Sequence, residues 1–461
     1  MIGETKIVVI GCGAAGGTAA QLARKTNRKA KITIFEKGKY SQYSKCGLPY
    51  VISGQIKEFN DLVEFSKNWF EKERIDIFLE TTVDKINIKN RKITTKKKDK
   101  KTETEYDKLI IATGAEPFIP PIENIWKNNK LIEGVNILRT IDDGKRISSE
   151  IEKGKYATII GAGLIGLEIA EALYKKGMRI TIIEALPGIL ENTLDNDMSE
   201  PIHKELQDKI NIYTNHITTK VEQKQGKIKQ IVIKNTITNK ERKIDTDILV
   251  IATGTKPNIS LAKNIGCKIG KTNGIIVNER TETSVNNVYA VGDCTEYKDF
   301  VTAKATSIGL GSIAVRQGIA AGINAAGNEY VLPKGLLNTR TSKFFGFEVA
   351  AVGPLRNACE KIPVIYGKFT GSSLLSYFPG GEPISIKIGV NKETGEIVSA
   401  QAVGSNAAQR INVCACAILN SANVEAVRKL ETAYAPSIAP TLDVLTIACD
   451  VAFLKYSRNK R

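Results

Sequence analysis

One cysteine, Cys46, stands in Cys46-Gly47-Leu48-Pro49-Tyr50, ten residues beyond an aliphatic run that ends in Glu36, with no second cysteine near it. A lone sulfur cannot close a disulfide within its own loop. It suits exchange with a small external disulfide, or a cycle through sulfenic acid. Two glycine clusters could bring it electrons: Gly11-Cys12-Gly13-Ala14-Ala15-Gly16 and Gly161-Ala162-Gly163-Leu164-Ile165-Gly166. Glycines at this spacing allow a tight turn and let backbone N–H groups approach a pyrophosphate at a helix N-terminus. With 38 glycines in 461 residues, one such pattern arises about 0.26 times by chance. Two copies, each after an aliphatic strand, are a far stronger signal. Glu36 lies 25 residues after Gly11 and Glu184 lies 23 after Gly161, each placed to accept hydrogen bonds from a ribose hydroxyl. A carboxylate at Glu184, followed by Ala185-Leu186-Pro187 with no cation, repels a 2′-phosphate, so NADH is expected over NADPH.

The elements that must position these residues repeat in the same order. Lys6-Ile7-Val8-Val9-Ile10 leads into the first cluster, Ile32-Thr33-Ile34-Phe35-Glu36 follows, and Leu109-Ile110-Ile111-Ala112-Thr113-Gly114 closes the unit. The second copy runs Ala157-Thr158-Ile159-Ile160, then Ile180-Thr181-Ile182-Ile183-Glu184, then Leu249-Val250-Ile251-Ala252-Thr253-Gly254. Short aliphatic runs of this kind suit parallel strands buried on both faces, in βαβ units. Thr113, Gly114, Thr253 and Gly254 are therefore expected beside the nucleotides. A further strand, Val288-Tyr289-Ala290-Val291, ends in Gly292-Asp293, and Asp293 is placed to hold the ribityl hydroxyls of a flavin. Pro117, Pro120 and Pro121 open a connection running to Ser149. After Pro333 come longer β-type runs, a turn at Glu393-Thr394-Gly395-Glu396, and helical segments from Ala407 and Leu442. The fold expected is α/β, with two Rossmann-like dinucleotide-binding domains and a C-terminal α+β domain. Its parts would be residues 1–118 and 276–330 for one nucleotide, 119–275 for the other, and 335–461 for the last domain.

Composition narrows the class. The chain is 42% hydrophobic and 25% charged, with a formal charge of +17. No apolar run is long enough to span a bilayer. The first strand begins within a few residues of Met1, so no signal peptide is expected and the cytoplasm is the expected location. The densest basic run, Lys89 to Lys101, is interrupted by Ile93 and Asp99 and has no aromatics to stack bases. It reads as a solvated hairpin, not a nucleic-acid site. The eight cysteines form no C-x-x-C pair, and His203 and His216 complete no zinc spacing, so no metal is expected.

Taken together, the two fingerprints, the two Ala-Thr-Gly strands and Tyr289-Ala290-Val291-Gly292-Asp293 resemble the pyridine nucleotide–disulfide oxidoreductases over nearly the whole chain. The resemblance implies a glutathione-reductase-like architecture: FAD at the first fingerprint and at Gly292-Asp293, NADH at the second, and a C-terminal domain that makes a homodimer. Cys46 without a partner resembles the single-cysteine branch, most closely the coenzyme A-disulfide reductases and relatives acting on polysulfide or persulfide. Tyr377 in Tyr377-Phe378-Pro379-Gly380 and Tyr434 in Ala433-Tyr434-Ala435-Pro436 match tyrosines that act at the thiol site there, one reaching across the dimer. Coenzyme A-disulfide reductases carry Ser four residues before the cysteine; Gln42 stands there in this chain, and Gln42 and Ser44 become the candidate contacts to a thiol such as coenzyme A. Ala14 occupies the place of a histidine in single-cysteine peroxidases, which argues against peroxide chemistry.

The expected reaction passes electrons from NADH through flavin to Cys46 and on to a small disulfide, persulfide or polysulfide. Two other readings remain: an NADH oxidase cycling through a cysteine sulfenic acid, and a slow-turnover flavoprotein redox sensor. For Cys46 to act as a thiolate, a helix beginning near Gly47 is expected to lower its pKa, with Lys45 beside it.

Overall fold

The computed structural model describes residues 4–307 and 309–459. The aliphatic runs form two parallel five-stranded sheets of matching strand order. In the first, Val288–Ala290, Lys108–Ile111, Lys6–Ile10, Lys31–Phe35 and Ile75–Phe78 lie side by side. In the second, Val135–Ile137, Ile248–Ile251, Tyr156–Ile160, Arg179–Ile183 and Asn211–Tyr213 do the same. The register repeats as well: Ile10 pairs with Phe35 and Ile111, and Ile160 pairs with Ile183 and Ile251. These strands are almost wholly buried, as continuous aliphatic sequence demands of a sheet covered on both faces.

Each first strand runs through its glycine turn into a helix, Ala14–Thr26 or Leu164–Lys175. Ala14–Thr26 packs closely against Gly311–Ala325, because a Cβ at Gly318 would stand 2.4 Å from the Ala15 carbonyl and one at Gly322 2.3 Å from that of Ala19. That contact and the strand Val288–Ala290 return the chain to the first sheet after the second unit is complete. The two units are stitched together by Ala115–Pro117, which pairs antiparallel with Thr255–Pro257.

The third sheet is antiparallel, in the order Arg340–Phe344, Phe347–Val352, Ile397–Gly404, Pro383–Asn391, Val364–Ser372. Helices Ala407–Leu419 and Val444–Arg458 share its apolar core. One of its lysines is buried: Lys387, 2% exposed, reaches Asp195 at 2.7 Å and Asp197 at 2.6 Å at the start of helix Asn196–Gln207. The basic segment forms the hairpin Lys92–Lys97 with Lys100–Glu105, extended by Thr82–Asn87. The connection after Pro117 is more structured than its composition suggests. It holds the strand Val135–Ile137 and helix Ile141–Glu150, opened by a capping box between Thr140 and Asp143. Among the described residues, no helix is long and apolar enough to cross a membrane.

Candidate functional site

The two glycine turns are alike in detail. Gly11 has φ +103° and a Cβ there would lie 2.3 Å from the Ala112 carbonyl; Gly161 has φ +106° and the distance to Ala252 O is 2.5 Å. This explains why each fingerprint comes with an Ala-Thr-Gly strand: the turn rests on the alanine's backbone. The third glycines, Gly16 and Gly166, would each place a Cβ 2.0 Å from the carbonyl of the first. The middle glycines differ. A Cβ on Gly13 or Gly163 meets nothing within 4 Å, and neither helix has a side-chain cap. Two helix N-termini therefore face open space, a setting for a pyrophosphate. Ala14 opens its helix, whereas Ala15 turns inward under Gly292, whose own Cβ would be 3.0 Å from that of Ala15.

Glu36 and Glu184 hold the edges of these turns. Glu36 accepts from the N–H of Cys12 and of Gly38, both at 2.7 Å. Glu184 accepts from Ala162 N at 2.7 Å and Leu186 N at 2.9 Å. A carboxylate has about four acceptor positions, so each retains capacity for ribose hydroxyls. The open helix ends and these half-used carboxylates fit two dinucleotides. Thr113 and Thr253 have another task. Their hydroxyls donate to Asn258 O at 2.6 Å and Phe118 O at 2.7 Å, tying each unit to the strand leaving the other. Gly114 and Gly254, with φ +64° and +96°, turn the chain there, so contact with a nucleotide at these positions falls to the backbone.

Asp293 does not stand alone. Its Oδ2 accepts from Arg139 Nη2 at 2.6 Å, both side chains about four-fifths buried, and Arg139 Nε donates to Ala115 O at 3.2 Å. Sequence reading missed Arg139, which sits in the connection beyond Pro117 just ahead of the Thr140 cap. Only that cap marks the segment as structured.

Cys46 lies in a short turn, Lys45–Gly47, followed by helix Leu48–Ser53. Pro49 favours the first helical turn and Gly54, at φ +86°, ends it. A Cβ at Gly47 would sit 2.3 Å from Leu62 Cδ2, so a larger residue there would have to displace that side chain. Leu48, Val51 and Ile52 are buried and anchor the helix, leaving Cys46 exposed at its entrance. The expected lowering of the thiol pKa is not found. Although its surface is open to solvent, the protein crowded around the Cys46 thiol pushes its pKa up, as do Glu168 and Asp293, against the opposing pull of Arg139 and Lys45. A helix of six residues has too little aligned dipole to outweigh crowding. The neighbouring Lys45 is pushed down to about 8, first by burial and then by Arg139.

Of the two proposed substrate contacts, Gln42 is misplaced. It is 4% exposed and packs on Gly17 of the fingerprint helix, and its Oε1 accepts from Gln21 Nε2 at 3.0 Å. An amide so engaged braces the helix and is not presented to an incoming thiol. Ser44 is half-buried and its backbone N–H donates to Leu62 O at 2.9 Å, with no side-chain cap on the turn it precedes.

Tyr377 and Tyr434 are brought together, their hydroxyls 3.4 Å apart, on loops of the third domain. At 68% and 47% exposed they face away from their own protein body. Glu168 is the second residue that sequence reading missed. It shares a small recess with Pro49, Tyr50 and Ser53, and Ser342 Oγ donates to its Oε1 at 2.5 Å. Burial raises its carboxyl pKa. The signal was available: a lone carboxylate in the apolar helix run Leu164-Ile165-Gly166-Leu167-Glu168-Ile169-Ala170. Cys12 and Cys294 are buried, and Cys414 and Cys416 diverge, the first buried and the second exposed.

Residues 5–318 match the family described as pyridine nucleotide-disulphide oxidoreductase, and residues 339–445 match its dimerisation domain. An NADH oxidase of Methanocaldococcus jannaschii is 39% identical over 460 residues, spanning 98% of this chain and 99% of its own. An NAD(P)H sulfur oxidoreductase (CoA-dependent) of Pyrococcus furiosus is 32% identical, over 97% of this chain and 99% of its own. Among solved structures, a NAD-dependent persulfide reductase from A. fulgidus superimposes with a TM-score of 0.93 at 33% identity, covering 98% of this chain and 84% of that one.

Proposed function

Since this chain belongs to the pyridine nucleotide-disulphide oxidoreductase family, we propose that it carries electrons from NADH through FAD to Cys46 and on to a small disulfide, persulfide or polysulfide. The observation that carries this reading is an exposed, unpaired Cys46 whose thiol feels the charges of the Arg139–Asp293 pair. Residues 1–118 and 276–330 form the FAD part of this reading, 119–275 the NAD(H) part and 335–461 the dimerisation domain. The cytoplasm is the proposed location.

Bound FAD supplies the two-electron chemistry that links hydride to sulfur. The chain's residues do the rest. Gly11, Gly13 and Gly16, with Glu36, hold one nucleotide, Gly161, Gly163 and Gly166, with Glu184, hold the other, and Asp293 is the acceptor at the flavin's polyol. Glu184 favours NADH, because a 2′-phosphate would meet its carboxylate. The Cys46 thiolate attacks one sulfur of the substrate disulfide, forming a mixed disulfide and expelling the first thiolate. Two electrons then cleave that mixed disulfide, releasing the second thiolate and restoring Cys46. Each expelled thiolate takes one proton, and the Tyr377 and Tyr434 hydroxyls of a second copy of the chain are the proposed donors. Coenzyme A is a candidate thiol, by analogy with the named activity of the Pyrococcus relative.

Replacing Cys46 with Ser should abolish disulfide-dependent NADH consumption while leaving NADH bleaching of the flavin intact. Full turnover in that variant refutes the scheme. The 39%-identical relative named NADH oxidase keeps a second reading open, in which two electrons from NADH reduce oxygen to peroxide, the Cys46 thiolate takes one peroxide oxygen to become sulfenic acid with release of water, and a second NADH restores the thiol. Oxygen uptake that depends on Cys46 and ignores added disulfide would select it.

A further inference from the structure

The third sheet carries a row of side chains turned to one segment of the second nucleotide unit. Arg340, Ala351, Gln401, Lys387 and Lys368 stand directly opposite one another across its strands, so they share one face. All of them except Ala351 bind residues 193–197. Arg340 Nη2 donates to Thr193 O at 3.3 Å, and Gln401 Oε1 accepts from Asp195 N at 2.8 Å. Lys387 Nζ donates to Asp195 Oδ2 at 2.7 Å and Asp197 Oδ1 at 2.6 Å, and Lys368 Nζ donates to Asp197 O at 2.7 Å. The backbone N–H of Arg356 adds a bond to Asp195 Oδ1 at 3.0 Å. Local sequence does not demand this arrangement. Asp195 is the N-cap of helix Asn196–Gln207, where an aspartate ordinarily bonds its own helix, yet its carboxylate makes no such bond and turns to the sheet. Lysines directly opposite each other, as Lys368 and Lys387 are, repel unless an acid answers them, and Asp197 answers both.

The same segment leads back to the fingerprint. Leu190 N–H donates to Ala162 O at 3.0 Å, while Ala162 N–H donates to Glu184 at 2.7 Å. Both peptide groups of Ala162, between Gly161 and Gly163, are thereby held by residues 184–190. Leu190 is 2% exposed and lies in the left-handed region at φ +60°, a conformation that leucine keeps only where its surroundings impose it. Its carbonyl accepts from Thr193 N at 2.7 Å and Leu194 N at 2.9 Å, which joins it to the segment gripped by the sheet. The first fingerprint has no such brace. Cys12 N–H is bound to Glu36 as that of Ala162 is to Glu184, but among the described residues no backbone N–H is bonded to Cys12 O. Ser342, on the strand that carries Arg340, also holds Glu168 on helix Leu164–Lys175, so the sheet grips both the loop and the helix of the second unit.

We propose that Lys387 and Gln401 are positioning residues for NADH. By holding residues 193–197 they hold Leu190 in place, and Leu190 fixes the Ala162 turn from which the open helix N-terminus begins. The third domain thus sets how tightly the second fingerprint binds its nucleotide, with no matching effect on the first. This inference rests on the second fingerprint holding NADH.

The test compares Q401L and K387M with the wild type as FAD-containing protein. Four quantities are measured: the NADH concentration that half-saturates flavin bleaching, the limiting rate of bleaching, bound FAD, and thermal unfolding. Q401L removes one acceptor and leaves the buried charges paired. Each variant should need about 3- to 30-fold more NADH, while limiting rate and FAD content stay with the wild type. A merely structural role lowers the unfolding temperature and leaves the half-saturating concentration where it was. That result overturns the proposal, as does a parallel loss of FAD. If K387M yields no folded protein, Q401L decides alone by the same criteria. G163A separates this inference from the reading beneath it. If G163A needs more NADH and Q401L does not, only the positioning role falls; if neither does, the second fingerprint does not hold NADH and both fall.

Discussion

Gly163 and Gly166 offer the sharpest separation of binding from folding. Both belong to the second fingerprint, and both would change by one methyl group on replacement with Ala. At Gly163 the new Cβ meets nothing within 4 Å, and the backbone is ordinary at φ −79°. The loss of a Gly helix cap and the gain from a less flexible unfolded chain are each about 0.5–1 kcal/mol and opposite in sign. Stability should therefore hold. The methyl would, however, stand over the helix N-terminus where backbone N–H groups must approach a pyrophosphate. Losing one charge-assisted hydrogen bond costs about 1.5–3 kcal/mol, which is about 10- to 150-fold in affinity. At Gly166 the Cβ would lie 2.0 Å from Gly161 O, against backbone that has no room to yield. That is overpacking, with a cost of about 1–3 kcal/mol or more. Stopped-flow bleaching of bound flavin over a range of NADH concentrations, with thermal unfolding alongside, measures both. G163A should need far more NADH while unfolding with the wild type and retaining FAD; G166A should unfold earlier. Unchanged NADH dependence in G163A would show that no pyrophosphate sits over this helix.

Other outcomes follow from the same structure. Lys387→Met leaves Asp195 and Asp197 without their buried cation and should destabilise the protein by about 3–5 kcal/mol in urea unfolding, with flavin binding in the folded protein retained. Burial alone would lift Asp197, yet Lys387, Lys368 and Arg356 together hold it below its ordinary value. Its stabilising effect is thus present above the usual carboxylate range and is lost as pH falls through the lowered value, so K387M should erase part of the acid sensitivity of wild-type unfolding. Glu168 behaves oppositely: its raised carboxyl favours the folded state at low pH and disfavours it as pH climbs. E168Q should match the wild type in acid and gain on it towards neutrality; a pH-independent difference in melting temperature would contradict this. Y377F and Y434F should each slow disulfide turnover while flavin bleaching by NADH stays normal.

Much of this molecule was legible because period and spacing carry it. Aliphatic runs before glycine clusters gave both parallel sheets, and the turn at Glu393–Glu396 and helices near Ala407 and Leu442 lie where composition placed them. The chemistry of Cys46 was harder to read. Its thiol responds to Glu168, Asp293, Arg139 and Lys45, of which only Lys45 is a sequence neighbour. Gln42 misled for a similar reason. Its place four residues before Cys46 suggested the substrate side, but the missing side chain at Gly17 draws it inward, and packing across 25 residues is invisible to local spacing. Arg139 lay hidden in a stretch read as a connection, since a capping box is a weaker sign than a hydrophobic repeat.

The touching hydroxyls of Tyr377 and Tyr434 mean that both residues always arrive from the same polypeptide. If they serve the sulfur of a second polypeptide, defects in the two places are separable by mixing. Chains lacking Cys46 and chains lacking both phenols would each be inert alone. After unfolding and joint reassembly at equal amounts, about half the pairs should be hybrids and about a quarter of all centres whole again.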